Sequence, residues 1–211
     1  MRLKTVVVDD HAFVRRGIVE ILNGHQGIEV VGEAGDYGQL RTQLRKTGDI
    51  DLLVMDVNLP GKDGIDILKT LLAEMPRVKV LVVSMYPEEQ YAVRAFRAGA
   101  VGYLNKAGAP EKLIEAVDQI IAGRKYVTPE IAQALIENLQ APQGLPHERL
   151  SDREFQTLKL IATGHRLADI AEALALSPKT VSVYRTRILE KMNMSNNAEL
   201  THYAIKHGLV E

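Results

Sequence analysis

The sequence predicts an α/β fold, a five-stranded doubly wound parallel sheet, with a second, all-α domain behind it. Three observations carry this. Five short aliphatic runs alternate with five amphipathic patterns over residues 1–125, as parallel βα units do. Two of the runs end in carboxylates: Val6-Val7-Val8-Asp9-Asp10 and Leu52-Leu53-Val54-Met55-Asp56. Beyond a stretch holding Pro142, Gly144 and Pro146, only helical patterns remain.

The strands are expected at 5–8, 28–33, 52–55, 78–84 and 101–104. They are short, β-branched or aliphatic, and apolar almost throughout, which suits strands buried on both faces. The helices between them are expected at 13–22, 37–46, 64–75, 88–98 and 111–122, where apolar residues recur at helical spacing. A further helix over 128–139 opens with Thr128 as N-cap and Pro129 at the first helical position, where a missing N–H is tolerated. The expected division is a first domain over 1–125, a helix and linker over 126–149, and a second domain over 150–211.

Composition narrows the function. A net charge of −1 argues against a generally basic protein that coats nucleic acid and against an acidic tail. The absence of cysteine excludes disulfides, thiolate metal sites and a cysteine nucleophile. No apolar stretch approaches the ~20 residues of a membrane span. The first strand begins too early for a signal peptide. The expectation is a cytoplasmic protein with no membrane contact.

The carboxyl edge of an open parallel sheet is where such folds build their sites. Asp9, Asp10 and Asp56 would meet there and repel one another unless a cation sits among them. Hard oxygen donors suit Mg²⁺ above all. An aspartate beside that ion can attack a phosphoryl donor, and Asp56, at the third strand end, is the candidate. Asp9 and Asp10 could instead simply cap the following helix, but capping gives Asp56 no reason to join them. Pro60 and Gly61 are expected to make a tight turn after Asp56, and Gly64 to open the next helix.

In the second domain helices are expected at 152–162, 167–174, 178–192 and 198–207. Ser151 and Glu154 form a capping box, and Gly164 ends the first helix. Ser177 caps a helix that starts at Pro178. A short helix, a turn and a longer helix make a helix-turn-helix, whose second helix enters the DNA major groove. On that helix Val181, Ile188 and Met192 mark the core side, flanked by Tyr184 and Leu189. Ser182, Val183 and Thr186 face outward as candidate base readers, and Val183 could touch a thymine methyl. Lys179, Arg185 and Arg187 are candidate phosphate contacts, with Lys191 a fourth; Thr180 and Tyr184 complete the DNA-facing set. The helix carries four cations against Glu190, whereas the rest of the region from Tyr126 onward has five cations and nine acids. Positive charge is thus concentrated on the reading helix.

Asp9-Asp10, Asp56, Ser84 and Lys106, in order and each at a strand end, resemble a response-regulator receiver, a flavodoxin-like fold. L-S-D-R-E at 150–154, I-A-T-G at 161–164, D-I-A-E-A-L at 169–174, S-P-K-T-V-S at 177–182 and G-L-V at 208–210 resemble a LuxR-type helix-turn-helix. Together they resemble the NarL/FixJ class of two-component transcription factors over nearly the whole chain. The resemblance implies Asp56 as phosphoacceptor, with Mg²⁺ held directly by Asp10 and Asp56, by Asp9 partly through water, and by the Asn58 carbonyl. It implies Ser84 and Lys106 on the phosphoryl oxygens and Tyr103 as the aromatic that follows the hydroxyl inward. It further implies a sensor histidine kinase, a double-stranded DNA operator, a second copy of the chain and RNA polymerase as partners, Glu154 orienting the reading helix, and the last helix in dimer contact. Two departures stand out. Ala107 occupies the place where many receivers have a cis proline; a cis bond without proline costs about 3 kcal/mol, so the loop geometry there is open. T-V-S-V-Y-R-T-R, with Ser182 and Tyr184 where lysine and histidine are common, resembles the BvgA/EvgA-like branch, so no operator is carried over.

A Mg²⁺-dependent aspartyl-phosphate enzyme is the competing reading, but such enzymes usually carry D-x-D, and Asp56-Val57-Asn58 breaks it. A phosphorylation-independent binder would not need the acidic set. The expectation is therefore not an enzyme but a DNA-binding regulator controlled by Mg²⁺-dependent phosphorylation.

Overall fold

The computed structural model describes residues 2–60, 63–85, 88–108, 110–140, 145–174 and 176–210, without the side chains of 88–90 and 138–140. The expected turn residue Gly61 and linker residues 141–144 lie outside the described residues. The chain forms two compact units, Met1–Ala141 and Pro142–Glu211.

In the first unit, strands β1 (Leu3–Val8), β2 (Ile28–Ala34), β3 (Leu52–Met55), β4 (Lys79–Ser84) and β5 (Gly102–Asn105) alternate with helices α1 (Ala12–Asn23), α2 (Tyr37–Thr47), α3 (Gly64–Glu74), α4 (Glu88–Arg97) and α5 (Pro110–Ile121). All strand pairs are parallel, in the order β2-β1-β3-β4-β5. This is the flavodoxin-like winding, with its switch point between β1 and β3. β3 and the last four residues of β1 are buried throughout, as their uninterrupted apolar runs predict. Leu22, Leu52, Leu81, Val117 and Ile120 form part of one core cluster that ties α1 and α5 to the sheet. Gly64 is required where α3 starts: an added Cβ would stand 2.3 Å from the Val57 carbonyl oxygen. That close approach lets α3 begin directly beside the segment leaving β3.

Helix α6 (Pro129–Gln140) packs against α4 and so belongs to the first unit. The Thr128 hydroxyl accepts the Ile131 N–H at 3.3 Å, as its N-cap position predicts.

The second unit holds a 3₁₀ turn at Pro146–Arg149 and helices α7 (Asp152–Ala162), α8 (Leu167–Ala173), α9 (Pro178–Met192) and α10 (Asn197–Lys206). The 3₁₀ turn falls in the segment expected as linker. His147 anchors it, with its ring nitrogen 2.8 Å from the Tyr203 hydroxyl of α10. α9 packs on α7 and α8, and α10 on α7. The Ser151–Glu154 capping box is present. α9 ends at Asn193, whose left-handed φ of 53° lets the Met194 N–H return to the Leu189 carbonyl. Among the described residues no helix is long and apolar enough to cross a membrane.

Candidate functional site

Strand register brings the predicted acids together. Val8 pairs with Met55 across β1 and β3, so Asp9 and Asp56 leave neighbouring strand ends side by side. The Asp56 N–H donates to the Val8 carbonyl at 2.8 Å and the Asp9 N–H to that of Ala34 at 3.1 Å. Both residues are buried, at 1% and 2% exposure. Across the site Ser84 pairs with Asn105, and the Lys106 N–H donates to the Ser84 carbonyl at 2.7 Å. Lys106 therefore enters one residue beyond β5, and its ammonium reaches Asp9 Oδ2 at 2.6 Å and Asp56 Oδ2 at 2.5 Å. The contact with Asp56 is a directed hydrogen bond. The one with Asp9 is an ion contact only, since Asp9 Oδ2 is buried with no hydrogen-bonding partner.

The rest of the pocket is built by short-range geometry. The Asn58 N–H donates to Asp56 Oδ1 at 2.8 Å, curling the segment after β3 around the carboxylate. The His11 N–H does the same for Asp9 Oδ1 at 2.8 Å. Asp10 is more exposed and lies 2.7 Å from His11 Nδ1. Donor atoms of Asp9, Asp10, His11 and Asp56 all fall within 4.8 Å of one another. Burial pushes the Asp56 carboxyl above the usual carboxylate range; Lys106 and the Asn58 N–H pull it back, and Asp9 adds to the rise.

Ser84 and Tyr103 are both fully buried. Ser84 ends β4, while Tyr103 pairs with Val82 one strand over. The Lys106–Ala107 bond is trans. The Asn105 side chain makes the turn instead: its Oδ1 accepts the Ala107 N–H at 2.8 Å and its carbonyl the Gly108 N–H at 2.9 Å. Two neighbours of the site were not predicted. His11 joins the acidic cluster, and Arg15, one turn into α1, donates to the Asp9 carbonyl at 2.5 Å. The run Asp9-Asp10-His11 held a signal for the first. Nothing local marked the second.

These residues fit a divalent ion of the Mg²⁺ kind. Three carboxylates against one ammonium leave two negative charges, which one such ion cancels. Asp9 Oδ2 is a buried hard oxygen with no directed hydrogen bond, paired with Lys106 Nζ at 2.6 Å, the kind of donor such an ion takes.

In the second unit, Val181, Ile188 and Met192 are the buried residues of α9. Lys179, Ser182, Val183, Thr186 and Arg187 are exposed, while Thr180, Tyr184 and Arg185 are half-buried. The Ser177 hydroxyl accepts the Thr180 N–H at 3.1 Å and lies 2.8 Å from the Thr180 hydroxyl. The Thr186 hydroxyl donates to the Ser182 carbonyl, and Arg185 Nε to Asn197 Oδ1 at 2.7 Å. Lys191 is drawn to Glu154, 2.6 Å away. It braces the helix there.

Comparison with known proteins agrees with this architecture. Residues 5–118 match the response regulator receiver domain, and residues 148–204 match the bacterial regulatory proteins of the luxR family. The chain is 39% identical over 211 residues to the response regulator GacA of Pseudomonas aeruginosa, covering 99% of this chain and 98% of that one. It resembles RcsB from Salmonella enterica serovar Typhimurium bound to promoter rprA in the presence of phosphomimetic BeF3⁻, with a TM-score of 0.63 and 27% identity over 96% of this chain and 98% of that one. A structure of two RcsB dimers bound to two parallel DNAs gives a TM-score of 0.61 at 27% identity, with the same coverage. Matched in both halves and along almost its full length, the chain belongs to the NarL/FixJ family of two-component response regulators, DNA-binding transcription regulators in which a receiver precedes a LuxR-type helix-turn-helix.

Proposed function

We propose that this regulator is switched by Mg²⁺-dependent phosphorylation of Asp56, and that the phosphorylated form pairs and reads paired half-sites through α9. The observation that carries the reading is the meeting of Asp9, Asp10 and Asp56 with the Lys106 ammonium at the β1/β3 switch point. Asp9, Asp10, Asp56 and the Asn58 carbonyl would hold Mg²⁺, which when bound neutralises charge on the phosphoryl oxygens. An Asp56 carboxylate oxygen forms the new bond to phosphorus as the bond to the donor's leaving group breaks. Lys106, already within hydrogen-bonding reach of Asp56, then pairs with the phosphoryl oxygens. Ser84 supplies a hydroxyl from the neighbouring strand end, and Tyr103 is the aromatic behind it. The added charge of about −1.5 to −2 shifts the population between two packings of this face.

The donor is a sensor histidine kinase, and the target is a double-stranded DNA operator, with RNA polymerase the further partner at a promoter. The exposed set on α9 and the DNA-bound RcsB relatives support the DNA side of this reading. Lys179 and Arg187 would meet phosphates, with Arg185 beside them, and Ser182, Val183 and Thr186 would meet base edges. Thr180 and Tyr184 border that face. Intact-mass measurement after treatment with acetyl phosphate and Mg²⁺ tests the switch. Wild type gains one phosphoryl group, whereas Asp56→Asn gains none, and chelation of Mg²⁺ prevents the gain. Equal labelling of the two proteins would remove Asp56 from the role.

A further inference from the structure

A cavity of about 190 Å³ lies between α1 and α5, at the β4 and β5 edge of the sheet. Its walls are apolar: Val14, Ile18, Ile21, Val83, Leu104 and Leu113. Among the described residues the two charged ones on its lining are Lys106 and Lys112, and no carboxylate lines it. Lys106 directs its ammonium to Asp9 and Asp56. Lys112 is exposed at the rim and also lies within the field of Glu130.

Gly17 keeps this space open. It sits in the middle of α1 and also lines the cavity. Glycine inside a helix is unfavourable relative to alanine. Here nothing in the backbone asks for it, since Gly17 has no positive φ. Nothing in the packing forbids a side chain either, because an added Cβ would meet no atom within 4 Å. The absent side chain leaves a hollow in a face that α1 would otherwise fill. An apolar cavity near 150 Å³ holds an aromatic ring, so this one takes a ring with a short substituent.

We propose that this cavity is a binding site for a small aryl or branched-alkyl carboxylic acid. The apolar body would fill the hollow at Gly17, and the carboxylate would pair with Lys112 at the mouth. The proposal does not need Asp56 to be phosphorylated. It matters to the switch because Lys106 is part of its wall, so an occupant fixes the residue that contacts both buried aspartates.

The test uses full-length protein and phenylacetate, followed by amide chemical shifts in ¹H–¹⁵N spectra. Wild type is expected to bind with a dissociation constant on the order of 1 mM, fitting a ligand of this size, with shifts over 14–21 and 102–113. Gly17→Leu fills the hollow while improving helix propensity, and is expected to abolish binding. Gly17→Ala, which fills little of it, keeps most of the affinity. Lys112→Gln is expected to weaken phenylacetate about fivefold, and neutral phenylacetamide to bind wild type about as weakly as that variant binds the acid. No binding to wild type, or equal binding to wild type and Gly17→Leu, would overturn the site. Equal affinity for acid and amide would overturn the ligand class.

Discussion

Asp56 is where burial and function pull in opposite directions. Its carboxyl is buried, and desolvation raises it above the ordinary range despite Lys106 at 2.5 Å. The folded state therefore favours the protonated form more than the unfolded chain does. That preference contributes stability below the unfolded carboxyl value of about 3.9, and the contribution is lost as pH rises through the higher folded value. At neutral pH without divalent metal, the ionised carboxylate is a net cost. Asp56→Asn is thus expected to melt above wild type at pH 7, with the gap closing as pH falls toward 4. Millimolar Mg²⁺ should reverse the order by stabilising wild type alone, through mass action on the folded state. Melting curves with chelator and with Mg²⁺ decide this. A lower Tm for Asp56→Asn in chelator would show that the attraction of Lys106 outweighs burial. The acids were legible because each terminates an apolar run. Arg15 was not, since its contact with the Asp9 carbonyl forms only once α1 turns back over the strand end.

Among the elements, the packing of α7 against α9 shows where local sequence signals stop. The Ser151–Glu154 capping box could be read from spacing alone, because both partners lie in one turn. The second use of Glu154 could not; only the family resemblance implied it. Its Oε2 accepts the Ser151 N–H at 2.8 Å and also meets Lys191 Nζ at 2.6 Å, across 37 residues. One carboxylate thus closes the start of α7 and pins the last turn of α9. The same contact engages Lys191, one of the four cations of that helix. Lys191 is partly exposed, so its pairing adds modestly to stability. Most of the loss in Glu154→Ala comes from the cap and the buried acceptor, about 1–3 kcal/mol. Hydrogen exchange over 178–192 should accelerate in Glu154→Ala and much less in Glu154→Gln, which keeps an acceptor for Ser151. Unchanged protection in the alanine variant would mean that α9 is held by its Val181, Ile188 and Met192 face alone. Half of the ten strand ends were similarly displaced by one or two residues from their expected limits, while both ends of β3 fell where expected. Apolar runs mark where strands lie, but pairing decides where they stop, as when the Val101 N–H bonds Val80 outside β5.

At the scale of the whole molecule, the Pro142–Pro146 stretch pointed to two domains with residues 126–149 between them, whereas the compact units divide between Ala141 and Pro142. The surroundings of α6 were less legible, because its sequence does not say which neighbour covers its apolar stripe; α4 does. The same division bears on how the proposed phosphorylation would reach DNA. Asp56 belongs to the first unit and α9 to the second, so the new charge need not touch the reading helix at all. Pairing of the chain supplies a sufficient route. It makes binding of the second reading helix intramolecular, which multiplies affinity for two sites by ~10²–10⁴ without any new DNA contact. Half-sites should then recur at about one helical turn, on one face of the duplex. Phosphorylation is accordingly expected to strengthen binding to a paired site by ~10² and to leave a single half-site nearly unchanged. Lys179→Ala should weaken both and lower the slope of log K against log salt by about one phosphate contact per copy. The measurement is affinity for one and for two half-sites, with and without phosphodonor, alongside sedimentation of the free protein. If single and paired sites gained equally while the protein stayed monomeric, pairing would not be the switch, and unmasking of α9 within one chain would replace it.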